Sequence, residues 1–426
     1  MKKNPARNVH LKNKVSLLLE KINSSIEIDQ RLYKEDIEGS IAHCTMLIKS
    51  KIITSKDGSM IIKGLKKIKT EIKKGQIGLD TKLEDIHINI ESLLFKKIGN
   101  VAGKLHTARS RNDQVVTDLK LWIRSKINNF ENELKNFQKI LINIAKRNTN
   151  TIMPGYTHMQ IAQAVSLAHH IMAYVEMIGR DRERLNNCLK RMNENPLGAC
   201  ALAGTSFNIN RKYTSKLLRF NKPTANSIDS VSDRDFVIEF IFCLSLLGMH
   251  LSRLSEEIIL WSSQHFEFVQ LPDELFTGSS VLPQKKNPDG AELIRAKTAI
   301  TISNLSALLS LLKNLPLSYY KDMQEDKSLV FNSYDTLLES IIISNELIKN
   351  LKPNKERMLF LSNEGYTTAT DFADYLVQNN NVSFREGYKF SAKLVNYAEK
   401  NKKKLNQLDF NEVKKIKNDV DKNVMK

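Results

Sequence analysis

A loop from Gly278 to Pro288 combines residue types that are typical of a ligand site. Its sequence, Gly-Ser-Ser-Val-Leu-Pro-Gln-Lys-Lys-Asn-Pro, places hydroxyl, ammonium and amide groups between apolar segments. Glycine lets a ligand approach the backbone, and Asn287 before Pro288 is typical of a helix N-cap followed by the first helical residue. Because a helix N-terminus carries partial positive charge, the loop with Lys285 and Lys286 is suited to bind an anion beside the serine hydroxyls. For the loop alone, the alternative is a solvated surface turn.

A second polar motif, from Gly103 to Asp113, directly precedes a predicted long helix. Asn112 stands where an N-cap belongs, and Arg109 and Arg111 lie beside the positive end of that helix. Arginine binds carboxylates and phosphates through two parallel hydrogen bonds, so this motif is suited to an anionic ligand. The alternative is a structural cap with solvated arginines.

A third motif, from Pro154 to Gln160, contains a histidine. Thr157 and Gln160 have capping-box spacing, which predicts that His158 lies in the first turn of a helix. A lone histidine is usually structural, but turn residues and a helix start beside it suit His158 to proton transfer. Glu292, four residues after Pro288, is predicted on the first turn of another helix, where it could orient a histidine.

A fourth polar segment, Tyr319–Lys327, follows Pro316 and carries several groups that can bind a charged substrate. The elements that must position all four segments are long helices. Apolar residues recur at spacings of three and four in four segments, with predicted bounds 113–147, 160–192, 233–261 and 289–315.

The predicted fold class is all-α, because alternation of period two is nowhere sustained. A helix of about 35 residues is roughly 50 Å long, which predicts an elongated bundle. We expect three domains: an N-terminal helical domain over 1–103, a central long-helix bundle over 104–352, and a small C-terminal helical domain over 353–426.

The helix lengths also predict that these motifs do not meet within one chain. If consecutive long helices run antiparallel, Asn112 lies at one end of the bundle and His158 at the other, about 50 Å away. The loop with Ser279 then lies at the His158 end, and Tyr319–Lys327 lies at the Asn112 end. A single site that uses all of them must form between subunits packed antiparallel, so the sequence predicts a homo-oligomer with shared sites.

Composition narrows the remaining possibilities. The net charge of +18 raises the question of a nucleic-acid partner, but the lysines are widely spread and few aromatics interleave with them, so we expect a solvated surface. No apolar run approaches the roughly 18 residues of a membrane span. No apolar stretch follows the basic N-terminus, so no secretion signal is expected. The four cysteines have no metal-like spacing, which indicates reduced thiols in a cytoplasmic protein without a metal site.

Taken together, the motifs resemble the argininosuccinate lyase family of the fumarase/aspartase superfamily. The Ser-Ser…Pro-x-Lys-x-Asn loop is similar to the superfamily as a whole. More specific to this family are His-Thr-x-Arg-Ser-Arg-Asn-Asp-Gln, the stretches Pro196–Thr205 and Asp229–Asp235, and Lys-Asp-Met-Gln-Glu-Asp-Lys. The resemblance extends over nearly the whole chain, from about Asn23 to Glu386.

The resemblance implies an all-α homotetramer with a multi-helix core, in which each active site draws on three subunits. It implies reversible cleavage of argininosuccinate to L-arginine and fumarate, the last step of arginine biosynthesis, with no metal or organic cofactor. By resemblance, Ser279 is the base, with Ser280 as the alternative. Lys285 and Asn287 stabilise the dianionic intermediate, and His158, paired with Glu292, acts in proton transfer or orients the site. The positions that match substrate contacts are Ser25, Arg111, Asn112, Thr157, Tyr319, Gln324 and Lys327.

The chain departs from the pattern of the resembled family without losing a proposed catalytic group. Ala108 and Cys200 stand where that family usually has glycine, Leu282 replaces a methionine and Tyr320 an asparagine. Three alternative functions follow from the same residues: another superfamily lyase acting on adenylosuccinate, fumarate or aspartate, a catalytically silent protein similar to delta-crystallins, and a basic helical nucleic-acid binder.

Overall fold

The structure is a computed structural model in which residues 15–425 are described. Residues 1–14 and residue 426 lie outside the described residues. The expectation that the basic N-terminus carries no secretion signal concerns residues in that undescribed part. Helices dominate the described chain, which confirms the predicted all-α class. The helices are α1 (Leu17–Asn23), α2 (Ile26–Asp29), α3 (Tyr33–Lys49), α4 (Ser55–Lys73), α5 (Ile86–Ile98), α6 (Arg111–Arg147), α7 (Leu167–Met192), α8 (Arg211–Leu217), α9 (Ser227–Ser232), α10 (Asp235–Ser262), α11 (Asp289–Leu312), α12 (Asp326–Lys349), α13 (Lys355–Ser362), α14 (Ala369–Asn380), α15 (Phe384–Lys400) and α16 (Phe410–Ile416).

Short strands form four two-stranded sheets within residues 15–425. The pairs are β1 (Ile152–Thr157) with β2 (Gln160–Ser166), β3 (Glu194–Asn195) with β4 (Lys222–Pro223), β5 (Val269–Gln270) with β8 (Lys352–Pro353), and β6 (Thr277–Gly278) with β7 (Lys286–Asn287). The β3–β4 pair is parallel and the others are antiparallel. Two of these hairpins, β1–β2 and β6–β7, carry predicted site residues.

The predicted helix over 160–192 is wrong at its beginning. Residues 160–166 form strand β2, and α7 begins only at Leu167. The side chain of Ser166 accepts a hydrogen bond from the backbone N–H of His169 at 3.1 Å, so Ser166 caps this helix. Thr157 and Gln160 face each other across the hairpin instead of forming a capping box. The backbone groups of this segment pair with β1, and that tertiary pairing overrides the local helix signal.

The described chain divides into two compact units, each built from three separate segments. Unit 1 contains Met1–Glu133, Arg180–Met249 and Lys297–Glu339, and unit 2 contains Leu134–Gly179, His250–Ala296 and Ser340–Lys426. The five long helices α6, α7, α10, α11 and α12 each contribute residues to both units. The three domains predicted from the sequence, with boundaries at residues 103 and 352, instead follow chain order, and they stay a prediction. A local hydrophobic core between Ile26 and Leu105 and another between Phe372 and Val420 support the two outer domains.

In unit 1, aromatic side chains join three of the long helices. Phe130 of α6 lies with its ring centroid 6.4 Å from Phe240 of α10 and 5.2 Å from Tyr334 of α12. Trp122 packs on Phe331 at 4.5 Å. Both Phe130 and Phe240 are fully buried, and each such side chain stabilises the fold by about 1.5–3 kcal/mol. The apolar stripes predicted for α6 and α10 therefore form the core.

In unit 2, polar contacts supplement the apolar packing of the long helices. The Gln138 side chain of α6 donates to the Val175 carbonyl of α7 at 2.8 Å. His170 of α7 contacts the Glu257 carboxylate of α10 at 2.7 Å and packs edge-on against Trp261. These side-chain contacts hold α7 next to α6 and α10 within unit 2.

Helix α10 is long and apolar enough, by length and composition, to cross a membrane. Within the described residues no other helix has such a length and composition. Of the 18-residue apolar segment of α10, 61% is buried inside the structure. The helix does not form an uninterrupted apolar run, since Glu239 and Arg253 lie within it. Its burial is consistent with the core helix of a soluble protein.

A buried ion-pair network lies at the beginning of α12. The Asp326 carboxylate accepts from the Arg234 Nε at 2.5 Å and from the Lys327 Nζ at 2.9 Å. All three side chains are at most 3% exposed. Burial alone would raise the pKa of Asp326, but the charges of Lys327 and Arg234 outweigh burial and hold that pKa below its usual range.

Removing this carboxylate charge should destabilise the protein strongly. Asp326→Asn leaves two buried cations without their partner, so we expect a loss of about 3–5 kcal/mol in the free energy of unfolding, measured by urea denaturation at pH 7. Because the folded pKa of Asp326 is lowered, this contribution is present above about pH 4 and is lost as pH falls through the folded pKa.

The matched control is Asp335→Asn on the same helix. Asp335 pairs with Arg31 at 2.6 Å, but both side chains are more than a third exposed. We expect a change below about 1 kcal/mol there. Equal effects of the two substitutions would contradict the argument from burial.

Candidate active site

The second polar motif, from Gly103 to Asp113, ends in the first turn of α6. The Ser110 hydroxyl accepts from the Asn112 backbone N–H at 3.2 Å, and Asp113 Oδ1 accepts from the Ser110 backbone N–H at 3.0 Å. Ser110 therefore precedes the helix and caps it, and the prediction that Asn112 is the N-cap is wrong by two residues. A reciprocal serine–carboxylate pair satisfies the first N–H groups better than one asparagine does.

This helix start holds the Pro196–Thr205 stretch in place. Asp113 Oδ2 accepts from the backbone N–H groups of Gly198 and Cys200, both at 2.9 Å. The Asn112 amide donates to the Ala201 carbonyl at 3.0 Å. Burial raises the pKa of Asp113 to about 6, against these hydrogen bonds. Two sequence motifs that are far apart along the chain thus meet at one place in unit 1.

Two strained backbone positions border this arrangement. Ala108 has φ 57° and Cys200 has φ 53°, which is the left-handed region that favours glycine. These are the two positions where the resembled family usually has glycine. The substitutions therefore leave the turn geometry in place and store strain in it.

Ser25 and Arg111 lie around the segment that begins α5. The Ser25 hydroxyl donates to Asp29 Oδ2 at 2.6 Å, and Asp29 Oδ1 accepts from the Ile86 backbone N–H at 3.1 Å. Arg111 donates to Asp85 Oδ2 at 2.9 Å, while Asp85 Oδ1 caps α5. Asp29 and Asp85 were missed by the sequence analysis. Asp85 did have a local signal, because an aspartate before the apolar run of α5 is typical of an N-cap.

The Tyr319–Lys327 segment also belongs to unit 1. Tyr319 and Gln324 are half-buried, and Lys327 is buried against Asp326. The Lys321 ammonium bonds the Glu84 carboxylate at 3.0 Å, which ties this segment to the residues before α5. The charges of Lys327 and Asp85 both act on Asp29. Ser25, which binds Asp29, and Arg111, which binds Asp85, are therefore linked electrostatically to Lys327.

Thr157 and His158 occupy the tip of the β1–β2 hairpin in unit 2. Both are exposed, and His158 and Met159 form its two-residue turn with φ 54° and 60°. Two successive positive φ values are typical of a type I′ turn, which ordinarily uses Asn-Gly. The prediction that His158 lies in the first turn of a helix is wrong. The turn holds the imidazole outward on a rigid, strained support.

The hairpin is supported from behind by the turn that follows α13. A Cβ added at Gly365 would lie 2.6 Å from the Ile161 Cβ, so glycine is needed for this close approach. The hairpin is therefore supported by residues that are distant along the chain, so the Pro154–Gln160 motif alone could not predict this contact.

The loop containing Ser279 is closed by the short β6–β7 ladder. Thr277 pairs with Asn287 and Gly278 with Lys286, so residues 279–285 form the connection. The half-buried Ser279 Oγ accepts from the backbone N–H groups of Val281 and Leu282 at 3.3 and 3.0 Å. Helix α11 begins at Asp289, one residue after Pro288, so the predicted Asn287 N-cap is displaced by one residue.

The other predicted residues of this region lie in the loop or on the first turn of α11. Lys285 and Glu292 are exposed, and Asn287 is half-buried. Among the described residues, no side-chain hydrogen bond or ion pair joins His158 to Glu292, so their pairing stays a prediction.

The candidate residues fall into two sets. Unit 1 contains Ser25, Arg111, Asn112, Tyr319, Gln324 and Lys327, and unit 2 contains Thr157, His158, Ser279, Lys285, Asn287 and Glu292. Unit 1 supplies an arginine, a lysine and amides that can bind carboxylates. Unit 2 supplies the hydroxyl, imidazole and ammonium groups that can move protons or stabilise an anion.

Comparison with known families identifies similar proteins along most of the chain. A family profile described as "Lyase" matches residues 10–301, and one described as "Argininosuccinate lyase C-terminal" matches residues 366–426. The argininosuccinate lyase of Pelagibacter ubique is 53% identical over 406 residues, covering 95% of this chain and 88% of that protein. The argininosuccinate lyase of Bartonella tribocorum is 50% identical over 403 residues, covering 95% and 86%.

Solved structures agree with the fold. An EDDS lyase in complex with formate superimposes with a TM-score of 0.81 at 29% identity, covering 91% of this chain and 76% of that chain. A class II fumarase from Schistosoma mansoni superimposes with a TM-score of 0.75 at 20% identity, covering 89% and 86%, and shows the fold alone.

Relief of the strained turns should stabilise the protein. Ala108→Gly and Cys200→Gly remove a Cβ at positive φ, and each should raise the free energy of unfolding by about 0.5–1 kcal/mol. Ala201→Gly is the control. Ala201 lies in the same stretch but has no positive φ, so this variant should lose stability. Urea denaturation measures all three, and stabilisation by all three alike would contradict the strain assignment.

The buried Asp29 carboxylate predicts a pH dependence of stability. Burial raises its pKa to about 6, against the opposing charge of His87 and the hydrogen bond from Ser25. The folded protein then holds this proton more tightly than the unfolded chain. The contribution is therefore present below about pH 4 and is lost as pH rises through about 6, by up to about 3 kcal/mol.

Asp29→Asn removes this titration. The difference in unfolding free energy between wild type and D29N should change steadily between about pH 4 and 7, with the variant showing the flatter profile. Parallel profiles over that range would show that Asp29 keeps its ordinary pKa.

Proposed function

Because the chain belongs to the argininosuccinate lyase family, we propose that it cleaves argininosuccinate reversibly into L-arginine and fumarate. The observation that carries this function is the Ser279 loop, in which a half-buried hydroxyl accepts two backbone N–H groups beside Lys285 and Asn287. The family match supplies the substrate, and the loop supplies the chemistry that this substrate requires. We place the enzyme in the cytoplasm.

The reaction is a β-elimination. A base removes the proton from the carbon next to a carboxylate, and the electron pair is delocalised into that carboxylate as an aci-carboxylate dianion. Collapse of the dianion forms the double bond of fumarate and breaks the carbon–nitrogen bond. The guanidinium nitrogen leaves as arginine. The dianion is the difficult species, so the site must offer preorganised positive charge and N–H donors.

Ser279 is the base in this proposal. A serine hydroxyl is a poor base unless its surroundings favour the alkoxide. The N–H groups of Val281 and Leu282 lie within hydrogen-bond distance of the Ser279 Oγ, and such donors stabilise the charged form of an oxygen. No corresponding pair of donors is described for Ser280 among the residues of this loop. The geometry therefore favours Ser279 over Ser280.

The dianion is stabilised by the groups that end the same loop. Lys285 provides an ammonium group, Asn287 provides amide N–H donors, and the beginning of α11 provides partial positive charge. His158 transfers a proton to the leaving group or orients the site, with Glu292 as its partner. His158 lies in the strained turn of the β1–β2 hairpin.

Substrate carboxylates and the guanidinium group are bound by the other set. Arg111 and Lys327 supply positive charge, and Ser25, Asn112, Tyr319 and Gln324 supply hydroxyl and amide groups, with Thr157 contributed by the hairpin. Asp85 and Asp29 are positioning residues, since they hold Arg111 and Ser25 through hydrogen bonds.

The site is shared between subunits of a homotetramer in this proposal. Asn112 lies in the first turn of the 37-residue helix α6, which is about 55 Å long, and the hairpin with His158 follows the end of that helix. Large apolar side chains are exposed on α10 and α11, and they would be covered by another subunit. These are Phe242, Met249, Leu293, Ile300, Ile302 and Leu309.

Ser279→Ala should abolish fumarate formation while argininosuccinate still binds. We expect a loss of at least about 10³-fold in kcat, because the proton cannot be removed without the base. Fumarate absorbance measures turnover, and isothermal titration measures binding. Ser280→Ala is the matched control and should retain most activity, whereas the reverse order of effects would assign the base to Ser280.

Sharing of sites predicts complementation between inactive variants. Asn112→Ala and His158→Ala, each inactive alone, should recover up to about one quarter of wild-type specific activity when subunits are exchanged at equal amounts, since the two residues come from different chains. Exchange is verified by mass spectrometry of the mixed oligomers. Mixed oligomers without activity would contradict shared sites.

A further inference from the structure

Three titratable side chains meet in the interior of unit 1 behind the predicted substrate-binding residues. Asp36 lies on α3, His87 on α5 and Asp118 on α6, and their side-chain ligand atoms all lie within 4.8 Å of one another. Their residues are 1%, 8% and 1% exposed. Three helices therefore converge on one buried polar cluster that the proposed chemistry does not use.

The hydrogen bonds of this cluster are unevenly distributed. Asp36 Oδ2 lies 2.5 Å from His87 Nδ1 and accepts from the Gln114 amide at 2.6 Å. Asp118 Oδ2 lies 3.6 Å from the same His87 nitrogen, which is too long for a hydrogen bond. Asp36 Oδ1 and both carboxylate oxygens of Asp118 have no hydrogen-bond partner. A buried carboxylate without partners is costly unless it carries a proton or binds an ion.

The surrounding charges decide which carboxylate carries a proton. Asp118 faces Asp36 and Glu35 on α3, His87 on α5 and Arg109 before α6. The favourable partners lie nearer to Asp36, because the His87 imidazole and the neutral Gln114 amide both bond its Oδ2. Gly39 also packs close to Asp118, since a Cβ there would lie 3.4 Å from Asp118 Oδ1.

We propose that Asp118 is a neutral carboxylic acid in the folded protein at neutral pH, that it donates its proton to the Asp36 carboxylate, and that the pair positions a protonated His87. The Asp118 and Asp36 carboxyl groups lie within hydrogen-bonding reach of each other, so one shared proton satisfies an oxygen of each. Burial and the neighbouring Asp36 charge also raise the pKa of Asp118 well above its usual range. For Asp36, the bonded His87 outweighs burial and lowers the pKa.

The cluster acts on the active site through the beginning of α5. His87 lies in the first turn of α5, two residues after the cap Asp85, and Asp85 binds Arg111. A displaced His87 would shift this turn and the guanidinium group that binds substrate. Asp118, Asp36 and His87 are therefore positioning residues, and this consequence for activity rests on the proposed function.

Two Asp→Asn variants at equally buried positions test the proposal. Asp118→Asn replaces a neutral acid by a neutral amide that can still donate to Asp36, so the variant should fold and keep kcat/KM for argininosuccinate within about threefold. Asp36→Asn removes the anion that His87 and Asp118 share, so kcat/KM should fall by at least about tenfold, chiefly through a higher KM.

An infrared measurement makes the test independent of the function. Wild-type protein in deuterated buffer at neutral pH should show the carbonyl band of a protonated carboxylic acid, and the difference spectrum between wild type and D118N should contain this band. The measurement holds even if D36N fails to fold or if argininosuccinate is not the substrate.

Three results would overturn the proposal. The first is a difference spectrum between wild type and D118N that lacks the protonated-acid band. The second is a loss of kcat/KM in D118N as large as that in D36N. The third is a stoichiometric divalent cation in the purified wild-type protein that is absent from D118N, because the unpartnered oxygens would then be metal ligands.

Discussion

The continuity of the long helices is the constraint on which the rest depends. A hydrogen-bonded helix of 37 residues fixes the distance between its two ends at about 55 Å, and α6 contributes to both compact units. Its first turn carries Asn112, and the hairpin with His158 comes after its last. The proposal of a site shared between chains follows from that geometry and explains why exposed apolar side chains remain on α10 and α11.

Three helix beginnings in unit 1 are held by carboxylates. Asp113 binds three backbone N–H groups and joins the beginning of α6 to the Pro196–Thr205 stretch. Asp85 both caps α5 and holds Arg111. Asp326 neutralises two buried cations beside the substrate-binding segment. These carboxylates do not take part in the chemistry, but they set the positions of groups that do. The Asp36–His87–Asp118 cluster extends the same arrangement one layer deeper.

Much of the fold could be predicted because α6 and α10 carry apolar stripes of regular spacing, and local periodicity suffices for that. The hairpin at His158 could not, because strand β2 is defined by its partner β1 and because its turn uses His-Met in place of the usual Asn-Gly. Candidate site residues could be named where motifs are contiguous, as in the Ser279 loop, and they stay predictions. Asp29 was missed because its role appears only when α2 meets the beginning of α5, 57 residues away along the chain.

We propose that one chain alone does not contain a complete site. The most direct test follows fumarate release from argininosuccinate across a dilution series of wild-type protein while mass photometry gives the fraction of each oligomer in the same samples. If sites are shared between chains, activity per chain follows the assembled fraction and falls to background as monomer accumulates. A monomer that retains the full activity per chain would contradict it.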